Sequence, residues 1–225
     1  MKKILLIAVV TVLVLSITVC AGNTNISDWA KPEVDEAISL GIVPEDMQNN
    51  YQDNITRAEF AKVSVMYVAN HFNMTVDELV KWYLETRVDG EGKPLTFIED
   101  AFTDIADSDE AYYIKCANTM GIVYGKGEGK FAPDELITRE EAATMLLRVY
   151  FCYGSGVKLG PKSADVDNFS DAGKISSWAD SAVRYMYQWD VMKGVSETRY
   201  APEENYTKEQ CYATFLRLHR VYSYR

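Results

Sequence analysis

The sequence predicts an all-α protein built from three helix-loop-helix units packed on one another. The first observation behind this is a phrase written three times. Ile55-Thr56-Arg57-Ala58-Glu59-Phe60 returns as Ile137-Thr138-Arg139-Glu140-Glu141-Ala142 and, worn down, as Tyr206-Thr207-Lys208-Glu209-Gln210-Cys211. One phrase used three times implies one fold element used three times. The second is that each Thr is placed to cap a helix, with Glu59, Glu141 or Gln210 three residues later completing a capping box. The third is apolar spacing at helical period after every cap: Phe60, Val63 and Tyr67; Ala142, Met145, Leu146 and Val149; Cys211, Phe215 and Leu218. The apolar residue before each Thr (Ile55, Ile137, Tyr206) is expected to staple onto Phe60, Ala142 or Cys211.

From the N-terminus, Lys2 and Lys3 precede an apolar run from Ile4 to Val19 that ends in Val19-Cys20-Ala21. This reads as a secretory signal peptide over residues 1–21, cut after Ala21. Two other routes stand beside it. A retained membrane anchor would need roughly 20 apolar residues, and lipoprotein processing at Cys20 would have to tolerate the bulky Val19. Without Lys2 and Lys3 the chain carries 21 basic and 33 acidic residues, a formal charge of −12. Such a surface repels nucleic acid and anionic lipid, so an anionic partner must be held by local cations. No membrane contact is expected after signal cleavage.

The first unit spans residues 22–72. Its upstream helix carries Trp29, Val34, Ala37 and Ile38, and Gly41 stands twelve residues after Trp29. Residues 73–100 form an insertion, in which Thr75 and Glu78 cap a helix bearing Leu79, Val80, Tyr83 and Leu84. The second unit, 101–152, has Ile114, Ala117 and Met120 at helical spacing before Gly121. Residues 153–166 read as a plain linker. In the third unit, 167–225, Trp178 stands twelve residues before Asp190, with Val183, Met186 and Tyr187 between them. Gly41 and Gly121 suit a helix C-terminus, and Asp tolerates the same left-handed backbone better than most residues. The chain ends just past the third long helix, so no separate cargo domain is expected.

The middle loop, Gly125-Lys126-Gly127-Glu128-Gly129-Lys130-Phe131-Ala132-Pro133, is turn chemistry, and Tyr200-Ala201-Pro202 repeats its end. No buried strand precedes its glycines and no Gly-Lys-Ser/Thr follows, which argues against a phosphate loop. Cys116, Cys152 and Cys211 read as core or unpaired thiols, with a Cys116–Cys152 bridge as the outside alternative. Asp104, Asp107 and Asp109 alternate, yet the glycine and final Glu of a calcium loop are missing, so no metal is assigned. His71 and His219 are the only histidines, and neither stands near a nucleophile at motif spacing. No catalytic residues and no cofactor are assigned.

These blocks together resemble the S-layer homology (SLH) repeat: Phe102-Thr103-Asp104 and Phe169-Ser170-Asp171, Trp29-Ala30 and Trp178-Ala179, Gly41-Ile42-Val43 and Gly121-Ile122-Val123, Phe131-Ala132-Pro133, Ile137-Thr138-Arg139-Glu140-Glu141. Their order is the family's order and covers almost the whole chain after residue 21. The third copy departs at Lys208 and Asp190. The resemblance implies a pseudo-threefold bundle of three SLH repeats with grooves between its lobes. It also implies a non-catalytic anchor for an anionic secondary cell wall polysaccharide, often pyruvylated, on a Gram-positive type of cell surface. Carried over residue by residue, the glycan-binding set is Arg57, Arg139 and Lys208, with Trp29, Trp178, Asp28, Asp104, Asp171, Gly125 and Gly127.

A cation at the first helical position supports that placement: an anion bridging the side chain and the unpaired N–H groups of the helix end would make it favourable. The bland reading is that the three cations merely pair with neighbouring acids. Lys208 lacks a bidentate fork, so the third site is expected to be weakest. The rival function is protein–protein interaction, with the module serving as an adaptor or part of a surface lattice for a protein partner.

Overall fold

The structure, a computed structural model, describes residues 25–106, 108–152 and 159–223. The expected signal peptide, its cut and Asp107 lie outside the described residues. Among these, the protein is all-α, with α1 over Lys31–Ser39, α2 Arg57–His71, α3 Val76–Thr86, α4 Ala111–Thr119, α5 Arg139–Cys152, α6 Asp180–Gln188 and α7 Lys208–Ser223.

Each predicted cap forms. The Thr56 amide donates to Glu59 Oε2 at 2.9 Å and the Glu59 amide returns to Thr56 Oγ1 at 3.1 Å. Thr138 with Glu141, and Thr207 with Gln210, repeat the exchange. The upstream helices α1, α4 and α6 end alike. Gly41, Gly121 and Asp190 take φ of 68°, 69° and 57°. Their amides bond back three residues, to Ile38, Asn118 and Tyr187, and the next amide bonds back five, to Ala37, Ala117 and Met186. This is the Schellman pattern, and it turns the chain sharply out of each helix.

The units interlock as a ring. Each upstream helix packs on the long helix of the preceding unit: α4 on α2, α6 on α5, and α1 on α7, which closes the circle. The long helices meet at the centre, where α5 touches α2 and α7, and Phe60 of α2 lies 5.4 Å from Phe215 of α7. The residues before the three Thr caps bond head to tail around the axis. Ile55 N donates to Tyr206 O at 2.8 Å, Tyr206 N to Ile137 O at 3.0 Å, and Ile137 N to Ile55 O at 3.1 Å. Ile55, Ile137 and Tyr206 are fully buried there, as are Phe60, Ala142 and Cys211 one turn on. Buried amides that would otherwise lack partners thus satisfy one another across units.

The insertion folds as expected around a fourth capping box at Thr75 and Glu78. Its α3 packs on α2, and Tyr83 and Arg87 bond to the Met120 and Cys152 carbonyls, tying α3 to the ends of α4 and α5. The stretch before the third unit is more than a spacer where it is described. Val166 is buried, Tyr185 donates to Gly160 O, and Lys162 and Arg184 pair with Asp180 and Asp167. All three described cysteines are free and buried, so the Cys116–Cys152 bridge is absent and all three serve as apolar filling.

Candidate functional site

The helix ends that carry the cations do not offer free N–H groups. Arg57 N donates to Glu135 O, Arg139 N to Glu204 O, and Lys208 N to Asp53 O, at 2.9 to 3.0 Å. The following amides, Ala58, Glu140 and Glu209, donate to Pro133, Pro202 and Tyr51 carbonyls. Each loop therefore caps the long helix of the unit before it. The expected bridge of one anion between side chain and helix end is corrected accordingly: any anion must be held by side chains.

Those side chains are buried and serve two purposes. Arg57, only 3% exposed, donates Nε to Phe131 O at 2.9 Å and Nη2 to Tyr124 O at 3.1 Å. Arg139, 5% exposed, repeats this with Tyr200 O at 3.0 Å and Lys193 O at 2.6 Å. Each guanidinium lies over the ring at the loop's end, 4.8 Å from Phe131 and 5.2 Å from Tyr200. Both arginines thus stitch two units together, and each still lines an open cleft.

The two clefts are equivalent by position. In the first, Arg57 shares a cavity of about 160 Å³ with Gly125, Glu141, Arg148 and Trp178. In the second, Arg139 shares about 410 Å³ with Gly194, Gln210, Arg217 and Trp29. Each cleft takes its cation from one unit, its loop and box residue from the next, and its Trp from the third. The tryptophans are 52% and 56% exposed, so they are open faces on the rim rather than core. A buried carboxylate sets each one. Glu209 accepts from both the amide and the hydroxyl of Ser27, and Glu140 does the same for Ser176, in each case two residues before the Trp.

The third position departs from this pattern. Lys208 Nζ is 2.6 Å from Glu59 Oε1, and Lys62, equivalent to Thr144 and Ala213 of the clefts, reaches to Asp46 and Glu110 over the Tyr113 ring. Asp109 stands where the other units have Trp. Pairing with neighbouring acids therefore describes Lys208 fully and Arg57 in part, through Glu141 at 3.4 Å. For Arg139, no carboxylate lies within ion-pair distance among the described residues.

Burial pushes Arg57 below its ordinary value, although Glu141, Glu135 and Asp104 pull the other way. Burial lowers Arg148 too, opposed by Tyr124 and reinforced by the charge of Arg57. Such guanidiniums are only partly compensated, and an incoming anion relieves them.

The remaining expected residues have other placements. Asp104 accepts from the amides of Phe131 and Ala132 at 2.9 and 2.8 Å, and Asp171 from Tyr200 and Ala201 at 2.8 Å. They hold the loop turns, where Ala132 and Ala201 sit at φ of 60°. Desolvation opposes ionisation of both, but the backbone bonds and the nearby Lys130 or Arg199 outweigh it and hold both carboxyls below the usual range. Their stabilisation is therefore present above the unfolded value of about 3.9 and is lost as pH falls through the lower folded values. Acid titration followed by near-ultraviolet circular dichroism should show loop loosening that Asp104→Asn plus Asp171→Asn removes.

Asp28 is exposed and lines neither cleft. Gly125 is needed for space: a Cβ there would stand 2.6 Å from Lys130 O. Gly194, its unpredicted counterpart, would meet Ser196 O at 2.6 Å. Gly127 takes φ of 100° in the loop turn with nothing near it, so its role is the turn itself.

Arg148, Tyr124, Lys193 and Gln210 were not among the expected site residues. Arg148 and Arg217 do hold the same place, ten residues after their Thr, and that signal could have found them.

The family profile of the S-layer homology domain matches residues 24–61, 101–143 and 168–210. Among curated relatives, the chain is 26% identical over 200 residues to a surface-layer 125 kDa protein of Lysinibacillus sphaericus, covering 86% of this chain and 14% of that protein. It is 36% identical over 97 residues to an endoglucanase of a Bacillus species, covering 43% and 10%. It is 27% identical over 128 residues to the middle cell wall protein of Brevibacillus brevis, covering 55% and 12%. The chain thus spans about a tenth to a seventh of the length of these relatives. No helix among the described residues is long and apolar enough to cross a membrane. With three matched segments, three capped helices and the ring they form, the chain belongs to the S-layer homology domain family, a family of cell-surface anchoring modules.

Proposed function

We propose that this protein is a non-catalytic anchor that binds an anionic, pyruvylated secondary cell wall polysaccharide in the Arg57 and Arg139 clefts. A leader over residues 1–21 would carry it to the cell surface. The observation that supports this most is the pairing, twice over, of a buried guanidinium with an exposed Trp across one cleft. A ketal carboxylate is a planar acceptor suited to guanidinium, and a sugar ring is a flat partner for indole. Relatives named as surface-layer and cell wall proteins fit the same setting. The endoglucanase is matched over 10% of its length, so its name assigns no catalysis to this chain.

The test is sedimentation of the purified protein with cell-wall sacculi, before and after acid stripping of the secondary polymer. The protein is expected in the pellet with intact walls and in the supernatant with stripped ones. Trp29→Ala plus Trp178→Ala should weaken that binding by about tenfold or more, since a stacked aromatic is worth ~1–2 kcal/mol, while melting stays within a few degrees. Pelleting that survives stripping would instead favour the adaptor reading.

A further inference from the structure

The capping-box residue of each unit stands with the cation of the unit before it, and it is Glu at two positions and Gln at the third. Glu59 holds Lys208 at 2.6 Å. Glu141 meets Arg57 at 3.4 Å with Oε1, while its Oε2 accepts from Thr138 N at 3.0 Å. In the second cleft the residue is Gln210, whose Oε1 accepts from Thr207 N at 3.2 Å. That bond engages Oε1 and leaves Nε2, a donor, as the other end of a residue that lines the Arg139 cavity. Where the first cleft sets a carboxylate on its arginine, the second has a neutral amide in the same cavity as its arginine.

Total charge does not favour the second cleft. Around Arg57 lie Arg148 and Lys126 with Glu141 and Glu135. Around Arg139 lie Lys193 and Arg217 with Asp190, Glu33 and Glu209. Each set has three cations, against two carboxylates in the first and three in the second. What differs is where the acids sit: Glu141 is on the guanidinium that should receive the ligand, whereas Glu33 and Asp190 are held on Arg217 and Lys193 at the edge and both oxygens of Glu209 accept from Ser27. An anion entering the first cleft must displace or repel Glu141, while in the second no carboxylate is paired with Arg139 among the described residues.

We infer that Gln210 makes the Arg139 cleft the primary anion site, that Glu141 holds the Arg57 cleft at lower affinity, and that the Glu59–Lys208 pair with Lys62 closes the third. This rests on the glycan-anchoring reading and adds to it an order of occupancy set by one residue type. The worn third phrase is then a functional change: the box survives with Gln, as the Thr207 bond shows, while the competing charge is removed. Glu and Gln are interchangeable as caps, so exchanging them keeps the box and alters the charge that faces the cleft, at position 141 together with its pairing to Arg57 and Lys126.

The test is calorimetric titration of the intact protein with a monosaccharide bearing a cyclic pyruvate ketal, the same sugar without the ketal serving as control. The wild type should bind one equivalent tightly and a second more weakly. Gln210→Glu should weaken the tight site about tenfold or more, and Glu141→Gln should strengthen the weak one by a similar factor. Gln210→Glu should melt as the wild type does, and Glu141→Gln somewhat lower, because the buried Arg57 loses its paired carboxylate. If Gln210→Glu leaves the tight site unchanged while the ketal sugar still binds, the inference fails and the anchoring reading stands. If the ketal sugar binds no better than its control, both fail.

Discussion

Arg139→Ala is expected to lower the melting temperature by about 5–15 °C, besides abolishing binding at its cleft. The reason lies in what the guanidinium leaves behind. Nε and Nη2 satisfy the Tyr200 and Lys193 carbonyls of the next unit, and the group covers the rings of Tyr200 and Tyr206. Each orphaned carbonyl costs about 1–3 kcal/mol. In a domain of this size 1 kcal/mol moves the midpoint by about 2–4 °C. A melt followed by circular dichroism measures it. Loss of wall binding in this variant would therefore mix two causes, which is why the Gln210 and Trp exchanges, both away from the stitching bonds, are the cleaner probes. A midpoint unchanged in Arg139→Ala would contradict the stitching role.

Phe215→Ala is expected to destabilise the protein by about 3–5 kcal/mol, in the range for emptying a buried aromatic site. Phe215 is fully buried on α7, its ring 5.4 Å from that of Phe60 and 5.0 Å from that of Tyr67, both on α2. It joins the last long helix to the first, so its loss loosens the closure of the ring as well as leaving a cavity. Urea denaturation should show a midpoint shift to lower concentration. Trp29→Ala offers the contrast: that side chain is half exposed and its removal should cost binding with little stability.

The fold was legible because its signals are local. A Thr followed three residues later by Glu or Gln, and a Gly or Asp at a left-handed position, fix where each helix begins and ends without reference to the rest of the chain. The repetition of those signals gave the number of units. The partners of each helix were not legible, because α1 packs on α7 across nearly the whole chain length and nothing local encodes that closure. The same gap explains the site. Arg57 and Arg139 could be named from their place after the cap, but the loops that fill their helix ends belong to the following units, and so do Glu141 and Gln210. Asp104 and Asp171 were placed with the ligand by resemblance; in the structure two backbone amides donate to each carboxylate, a loop-holding role that their sequence position did not reveal. Sequence position reveals a residue's type and register; its competitors for a bond come from tertiary neighbours.

The most direct measurement is a crystal structure of the protein soaked with the ketal-bearing monosaccharide. The carboxylate should lie within hydrogen-bonding distance of Arg139 and the Gln210 amide, with the sugar face against Trp29. Sugar density elsewhere on the surface, with the Arg139 cleft empty at saturating ligand, would contradict it.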